Sequence, residues 1–133
     1  MDLKINGVVY STRRMNAFEQ FSIARRFADV LTVLAMAPDR ARIKQRFPQA
    51  FCALTSRLPQ AEVQDAIVDC LSFVSRAHEG SLSPIIRDRV IMFSDINESM
   101  PLMLELIYAV FEGERLLDFF ADPESISKAP DLK

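Results

Sequence analysis

The stretch INGVVYSTRRMNAFEQF, Ile5 to Phe21, contains the signals for two kinds of secondary structure and for the junction between them. Asn6-Gly7 separates two short β-prone segments, and this dipeptide favours a type I′ turn because both residues tolerate positive φ. The sequence therefore predicts a β-hairpin over about residues 3–10. A two-stranded hairpin is rarely stable alone, so we expect it to pack on the following helices or to pair with another chain.

The second half of this stretch predicts a helix. Asn16 is a good N-cap and Glu19 occupies the third helical position of a capping box, so a helix should begin near Ala17 and stop before Pro38. Apolar residues recur at spacings of three and four along it, which predicts one buried stripe. The residues of that stripe are Phe18, Phe21, Ala24, Phe27, Leu31 and Leu34.

Prolines and glycines divide the remainder of the chain. Pro48 and Pro59 are placed in the first turns of new helices, and Gly80 and Gly113 just past helix ends. Whether the region 89–96 contains a strand is left open. The predicted segments are a short helix capped by Asp39, helices over about Gln49–Leu58, Gln60–His78 and Pro101–Glu112, and a loop over Ser81–Arg89.

These elements predict a mainly α fold, a helical bundle-like single domain with a small N-terminal β-hairpin. The chain has 133 residues, of which half are hydrophobic, so one domain can bury a sizeable core. We place this domain over residues 1–120. Residues 121–133 contain two prolines and several charges, and they are predicted to be a poorly ordered tail.

The first residues and the two cysteines predict a cytoplasmic protein. The N-terminus has no apolar run with a small-residue cleavage site, which is the pattern of a secretory signal. Cys52 and Cys70 both lie in apolar helical surroundings and are predicted to be buried free thiols. The longest apolar run, Met100 to Phe111, is shorter than the roughly 18 residues that a membrane span needs.

The sequence contains no recognisable arrangement for catalysis, and we predict no catalytic residue, no metal site, no cofactor and no enzyme activity. His78 is the only histidine and is placed near a helix end. Glu62, Asp65 and Asp69 share one face of their helix, and a solvated acidic face is the favoured interpretation. A basic neighbour would offset the repulsion between Asp65 and Asp69.

The charge is divided unevenly along the chain. Residues 1–58 contain ten lysines and arginines against four acidic residues, although the whole chain has a net charge of −2. This basic half makes a small nucleic-acid-binding regulatory protein the alternative hypothesis. A solvated basic face, or one paired with the acidic half, is favoured over phosphate binding because no recognition motif accompanies the arginines.

Two groups of residues are candidates for contact with a protein partner. The first comprises the two arginine pairs, on the outward flank of the first helix and of the strand before it. The second is a group of large apolar residues next to the tail, which must be either core or partner surface. The candidates are Arg13, Arg14, Arg25, Arg26, Leu116, Leu117, Phe119 and Phe120.

Three blocks of the sequence resemble the tail assembly chaperones of tailed bacteriophages and prophages, in the order expected for that family. Two places do not follow the family pattern: Asn97–Met100, which separates two parts of the third block, and the region 40–58. The blocks are Gly7–Phe21 with Ile23–Arg26, then Asp69–Arg76, then Ile91–Ile96 followed by Pro101–Leu104 and Phe119-Phe120.

The resemblance implies a non-enzymatic chaperone that binds the long helical tape-measure protein and assists assembly of the tail-tube protein around it. It implies action in the bacterial host cytoplasm and absence from the finished virion. Physically, a helical module can cover the apolar stripe of a partner helix. The charge division also suits association of several copies, so a homo-oligomer is a further hypothesis; a membrane partner and nucleic acid are not expected.

Overall fold

The structure is a computed structural model that describes residues 1–121. Most of these residues are helical, as predicted, but strands form a larger part of the fold than a helical bundle allows. The helices are α1 (Ala17–Arg26), α2 (Ala28–Ala35), α3 (Arg40–Thr55), α4 (Gln60–Leu71), α5 (Ser94–Asn97), α6 (Met100–Gly113) and α7 (Leu116–Ala121). The strands are β1 (Asp2–Ile5), β2 (Val8–Thr12), β3 (Val74–His78), β4 (Ser81–Pro84), β5 (Ile86–Arg87) and β6 (Val90–Ile91).

The predicted N-terminal hairpin is confirmed. Ile5 pairs with Val8 across a turn in which Asn6 and Gly7 both have positive φ, 52° and 80°. The hairpin is stabilised by a third strand rather than by helices alone, because β2 pairs antiparallel with β3. The resulting sheet has the order β1-β2-β3-β4, so its edges are the four-residue strands β1 and β4, the latter ending at Pro84.

The second hairpin corrects the prediction of one helix over Gln60–His78. The helix α4 ends at Leu71, and Val74–His78 is a strand that returns as β4 through Glu79 and Gly80, whose φ angles are 49° and 84°. Val74 continues the helical apolar spacing, but it is equally suited to a strand. Pairing with the otherwise open edge of β2 decides in favour of the strand. Gly80 is therefore a turn residue, and His78 lies at a strand end.

The first long helix is divided at Phe27, whose backbone angles of −112° and 21° separate α1 from α2. The Asn16 and Glu19 capping box is present as predicted. The predicted buried stripe is wrong at its beginning, because Phe18 and Phe21 are exposed. The buried side of the two helices instead comprises Ile23, Phe27, Val30, Leu31 and Leu34.

One helix, α3, replaces the two that were predicted on either side of Pro48. Asp39 caps it as expected, with its carboxylate accepting from the Ala41 N–H at 3.0 Å. Proline inside a helix costs about 3 kcal/mol. The helix persists because Phe47 and Phe51, one turn apart, both enter an aromatic cluster whose other members are Phe27, Tyr108 and Phe111.

The apolar helix α6 is the centre of the core. It begins with Ser99 as N-cap and contacts α3, α4, α5, α7 and β2. Arg76 of β3 joins the sheet to the segment before α6: its guanidinium lies 2.6 Å from an Asp95 oxygen and 4.5 Å from the Phe93 ring centre.

Three smaller predictions are settled by the described residues. Val90–Ile91 forms a short strand paired with Ile86–Arg87, so the predicted loop before it is mostly extended structure. Cys70 is buried as expected, but Cys52 is exposed because it lies on the outer side of α3. Ala121 belongs to α7, and the rest of the predicted tail lies outside the described residues.

Candidate partner-binding surfaces

The first predicted arginine pair contacts this chain's own residues. The Arg13 guanidinium lies 3.3 Å from a Glu19 carboxylate oxygen and stacks over the Phe73 ring at 4.3 Å. A backbone hydrogen bond from Asn16 and a side-chain one from Arg13 hold the pKa of Glu19 below its ordinary value. Arg14 Nε lies 3.4 Å from Glu114, although most of the Arg14 side chain is exposed.

Glu114 is a buried carboxylate that links the start of α1 to the end of α6. Its side chain is only 4% exposed. One oxygen accepts from the Met15 backbone N–H at 3.2 Å and from the Gln20 amide at 2.9 Å, and the other faces Arg14. These contacts hold the β2–α1 connection against the end of α6, and they turn Gln20 and Ile23 of α1 inward. This orientation places Phe18 and Phe21 on the outside.

The second arginine pair is divided between a half-buried, ion-paired residue, Arg26, and an exposed one, Arg25. Arg26 Nη1 lies 2.7 Å from Asp69, and Arg89 bridges Asp69 at 2.8 Å and Asp65 at 3.1 Å. Partial burial raises the pKa of Asp69, but the hydrogen bonds and charges of Arg89 and Arg26 outweigh it and leave that pKa lowered. The predicted offsetting of the Asp65–Asp69 repulsion is therefore present. Within residues 1–121, Arg25 has no ion-pair partner.

These contacts bear on the phosphate-binding alternative. Three of the four candidate arginines have a carboxylate partner, and two of those carboxylates, Asp69 and Glu114, come from the acidic half of the chain. Each pair would have to be broken before the guanidinium could contact a phosphate. The basic half and the acidic half are thus partly neutralised against one another inside the fold.

The exposed side of α1 and α2 forms a single row of residues, which we call the outer stripe. Phe18 is 86% exposed, Phe21 65%, Val33 49% and Met36 78%. Within each helix, spacings of three and four place these residues on the exposed side. Arg25 and Asp29, on either side of Phe27, also border a small cleft with Leu54, Thr55 and Leu58. The outer stripe comprises Phe18, Phe21, Ser22, Arg25, Asp29, Thr32, Val33 and Met36, all of them exposed.

The C-terminal candidates fall into two classes. Leu116 and Leu117 are buried and belong to the core. Phe120 is half-buried against the core, whereas Phe119 is exposed and stacks edge-on against Phe120 at 5.3 Å. The helix α7 packs mainly on α2 and also on α6. Of this group, Phe119 is the residue that a partner could reach without movement of α7.

A cleft of about 620 Å³ lies between α3 and α6, and sequence reasoning did not find it. Phe47, Pro48, Pro101 and Tyr108 provide an aromatic and proline-rich lining. Charges of opposite sign stand on its two sides, with Lys44 on α3 facing Glu105 and Glu112 on α6. The signals were present as two prolines beside aromatic residues, but only the packing of α3 on α6 places them together.

The remaining residues with chemical potential are dispersed. Nowhere in the described part of the chain do three or more histidine, cysteine or acidic side chains gather so that they could hold a metal ion. His78 packs edge-on against Phe93 at 5.4 Å. Burial raises the pKa of the Cys70 thiol.

None of the helices described for residues 1–121 has the length and the apolar character that a bilayer span demands.

Comparison with known proteins identifies one family. The model of the phage tail assembly chaperone protein family, TAC, matches residues 6–127. No curated protein and no solved structure matches the chain.

Proposed function

Because the chain belongs to the phage tail assembly chaperone family, we propose that it binds the tape-measure protein and assists assembly of the tail-tube protein around it. The activity is binding, without catalysis, and its place is the bacterial host cytoplasm. The chaperone leaves before the virion is complete. A tape-measure protein is long and helical, so the recognition element that we propose is an amphipathic helix.

The observation that carries this proposal is the cleft between α3 and α6. A groove with an apolar floor receives the apolar face of a helix, and its rims select the charges beside that face. Pro48 and Pro101 supply the accessible apolar lining, and the almost fully buried Phe47 and Tyr108 lie beneath them. Lys44 on one side favours an acidic residue of the partner, and Glu105 and Glu112 on the other side favour basic ones.

The two glutamates make the acidic side of the cleft continuous. Glu105 and Glu112 are seven residues apart on α6, so they lie on the same face of that helix with Tyr108 between them. A partner helix with basic residues at the same spacing would contact both. The charged residues at the rim are exposed to solvent, so their ion pairs with a partner are weakened by salt. Such contacts can hold a partner and still allow its release.

The test is co-expression with the cognate tape-measure protein. We expect that protein to be insoluble when expressed alone, and to be soluble and co-purified when the tagged chaperone is present. In Ala41→Trp, an indole placed on the exposed lining of the cleft should lower the recovered tape-measure protein at least tenfold. Ala53→Trp is the matched control, since Ala53 is exposed on the same helix and away from the cleft.

Circular dichroism and thermal unfolding of both variants alone establish that each one folds. Equal recovery with Ala41→Trp and Ala53→Trp would rule out the cleft as the binding site. Failure of the unmodified protein to retain the tape-measure protein in solution would refute the proposed function itself.

A further inference from the structure

We propose that the outer stripe is the interface of a symmetric dimer, in which α1 and α2 of one copy pack antiparallel against α1 and α2 of a second copy. The observation behind this inference is that the outer stripe of one copy is chemically complementary to the outer stripe of a second copy that runs in the opposite direction. It concerns a different surface from the cleft between α3 and α6, so the two proposals stand or fall separately.

The positions of the stripe are symmetric about Phe27. Its members lie two, five, six and nine residues before Phe27 and at the same four distances after it. Helical periodicity alone produces such spacing around a buried residue. The helix is also interrupted at Phe27, the midpoint, so a two-fold axis passing there would relate α1 of one copy to α2 of the other.

Periodicity does not explain why the two residues at each pair of symmetric positions have side chains of matching chemistry. In the antiparallel arrangement Phe18 would meet Met36 of the partner subunit, and Phe21 would meet Val33 of the partner subunit. Ser22 would face Thr32 of the partner subunit. The sequence thus places apolar residues opposite apolar residues and hydroxyl groups opposite hydroxyl groups. Methionine against an aromatic ring is a favourable contact in its own right.

The central pair is ionic and fixes the register. Arg25 would face Asp29 of the partner subunit, and the two-fold axis generates this pair twice. Among the described residues neither Arg25 nor Asp29 has an ion-pair partner within its own chain, unlike Arg13, Arg14 and Arg26. A parallel arrangement would instead bring arginine against arginine at the centre, so charge selects the antiparallel one.

The size of the surface predicts a weak dimer. From Phe18 to Met36 the two helices extend over at most roughly 28 Å, and the outer stripe contains far fewer residues than the roughly 20–30 that a stable interface uses on each side. Stable interfaces cover about 800 Å² on each partner. We therefore expect a weak dimer, with monomer and dimer exchanging readily. Two exposed phenylalanines on a monomer are consistent with a surface that is covered part of the time.

A second copy is a better occupant than an unrelated helix because it supplies all complementary groups at once. An unrelated helix would need two apolar clusters separated by an acid and a base at the spacing that this chain already has. Binding of such a helix would give a complex of one chaperone with one partner, and the protein on its own would stay monomeric at all concentrations.

Sedimentation velocity of the purified full chain from 1 to 200 μM is the first measurement. The proposal requires a concentration-dependent shift from monomer to dimer, and a monomer throughout that range would overturn it. Phe18→Ser and Phe21→Ser remove exposed side chains, so both variants should stay folded. Each should weaken dimerisation about tenfold or more; an unchanged dimer in both would place the interface elsewhere.

Charge reversal tests the antiparallel register. Arg25→Glu and Asp29→Arg should each weaken the homodimer about 10- to 100-fold, since either change converts both ion pairs into repulsive pairs. When the two variant chains are mixed, every facing pair becomes attractive again, and a 1:1 heterodimer should form. Lys4→Glu, on β1, is the matched charge reversal outside the stripe and should leave dimerisation unchanged.

The mixing experiment excludes an effect within one chain, because neither variant carries the compensating change itself. A mixture that remains monomeric would overturn the antiparallel register. Homodimers of Arg25→Glu as tight as those of the unmodified protein would overturn the interface. Far-ultraviolet circular dichroism of each variant confirms that the helices are intact.

Discussion

Of all single substitutions of charged residues in the described chain, replacement of Glu114 should cause one of the largest losses of folding stability. Its carboxylate accepts from the buried Met15 N–H and from Gln20, and it pairs with Arg14. In Glu114→Ala these donors lose their acceptor together. Gln20 and Arg14 are partly or largely exposed and can turn to water, but the Met15 backbone N–H cannot.

The magnitude follows from these three contacts. A buried N–H left without an acceptor costs about 1–3 kcal/mol, and the partly exposed Gln20 bond contributes about 1 kcal/mol. The exposed Arg14 pair contributes about 0.5 kcal/mol. We expect Glu114→Ala to lower the free energy of unfolding by about 3 kcal/mol and the melting temperature by about 10 °C. Glu114→Gln retains a carbonyl acceptor, so its cost should be about 1 kcal/mol.

Urea unfolding followed by circular dichroism measures both values, and Glu112→Ala, an exposed glutamate two residues away, is the control with an expected change below about 0.5 kcal/mol. A double-mutant cycle between Glu114→Ala and Gln20→Ala should give a coupling of about 1 kcal/mol. If Glu114→Ala is no more destabilising than Glu112→Ala, the buried carboxylate does not hold the N-terminal connection, and our account of α1 is wrong.

Three further predictions concern single residues. Asp69 has a lowered pKa, so its ion pairs stabilise the fold above its ordinary pKa of 3.8 and lose that contribution as the pH falls below it; Asp69→Asn should flatten the acid limb of a stability–pH profile, and an unchanged limb would contradict this. A thiol reagent should modify Cys52 within minutes and Cys70 only upon unfolding, because Cys70 is buried and burial raises its pKa; equal rates in a stopped-flow assay would be inconsistent with the structure. Pro48→Ala restores a helical N–H and should raise stability by about 1–2 kcal/mol in thermal unfolding, whereas a loss of stability would show that the proline ring packs favourably in the cleft.

Local signals predicted several elements correctly because their chemistry acts over a few residues. The positive φ of Asn6-Gly7, the capping box at Asn16 and Glu19, and the Asp39 cap each depend on contacts within four positions. These contacts are visible in the sequence without knowledge of the fold.

Long-range contacts account for the errors. Phe18 and Phe21 were assigned to the core by spacing alone, but Glu114, more than ninety residues away, turns Gln20 inward and thereby rotates them outward. The strand at Val74 depends on pairing with β2, and the continuity of α3 through Pro48 depends on Phe27, between α1 and α2, and on Phe111 of α6. A single sequence does not reveal any of these partners.

The candidate surfaces show the same division. Arg13, Arg14 and Arg25 are exposed as predicted, whereas Arg26 is half-buried. Which of the four would be free depended on carboxylates from α4 and from the end of α6. The cleft needed the packing of α3 on α6 before Phe47 and Tyr108 could line one space.

The edges of the four-stranded sheet have a consequence for a tail assembly chaperone, which must bind other proteins without forming a continuous sheet with them. Proline at the end of β4 has no N–H to offer an incoming strand, and β4 itself is only four residues long. The opposite edge, β1, is equally short and carries Asp2 and Lys4. Both edge strands of the sheet are thus poor templates for strand addition. A chaperone with such edges can bind other proteins while strands of those proteins, or of its own copies, are kept from extending its sheet.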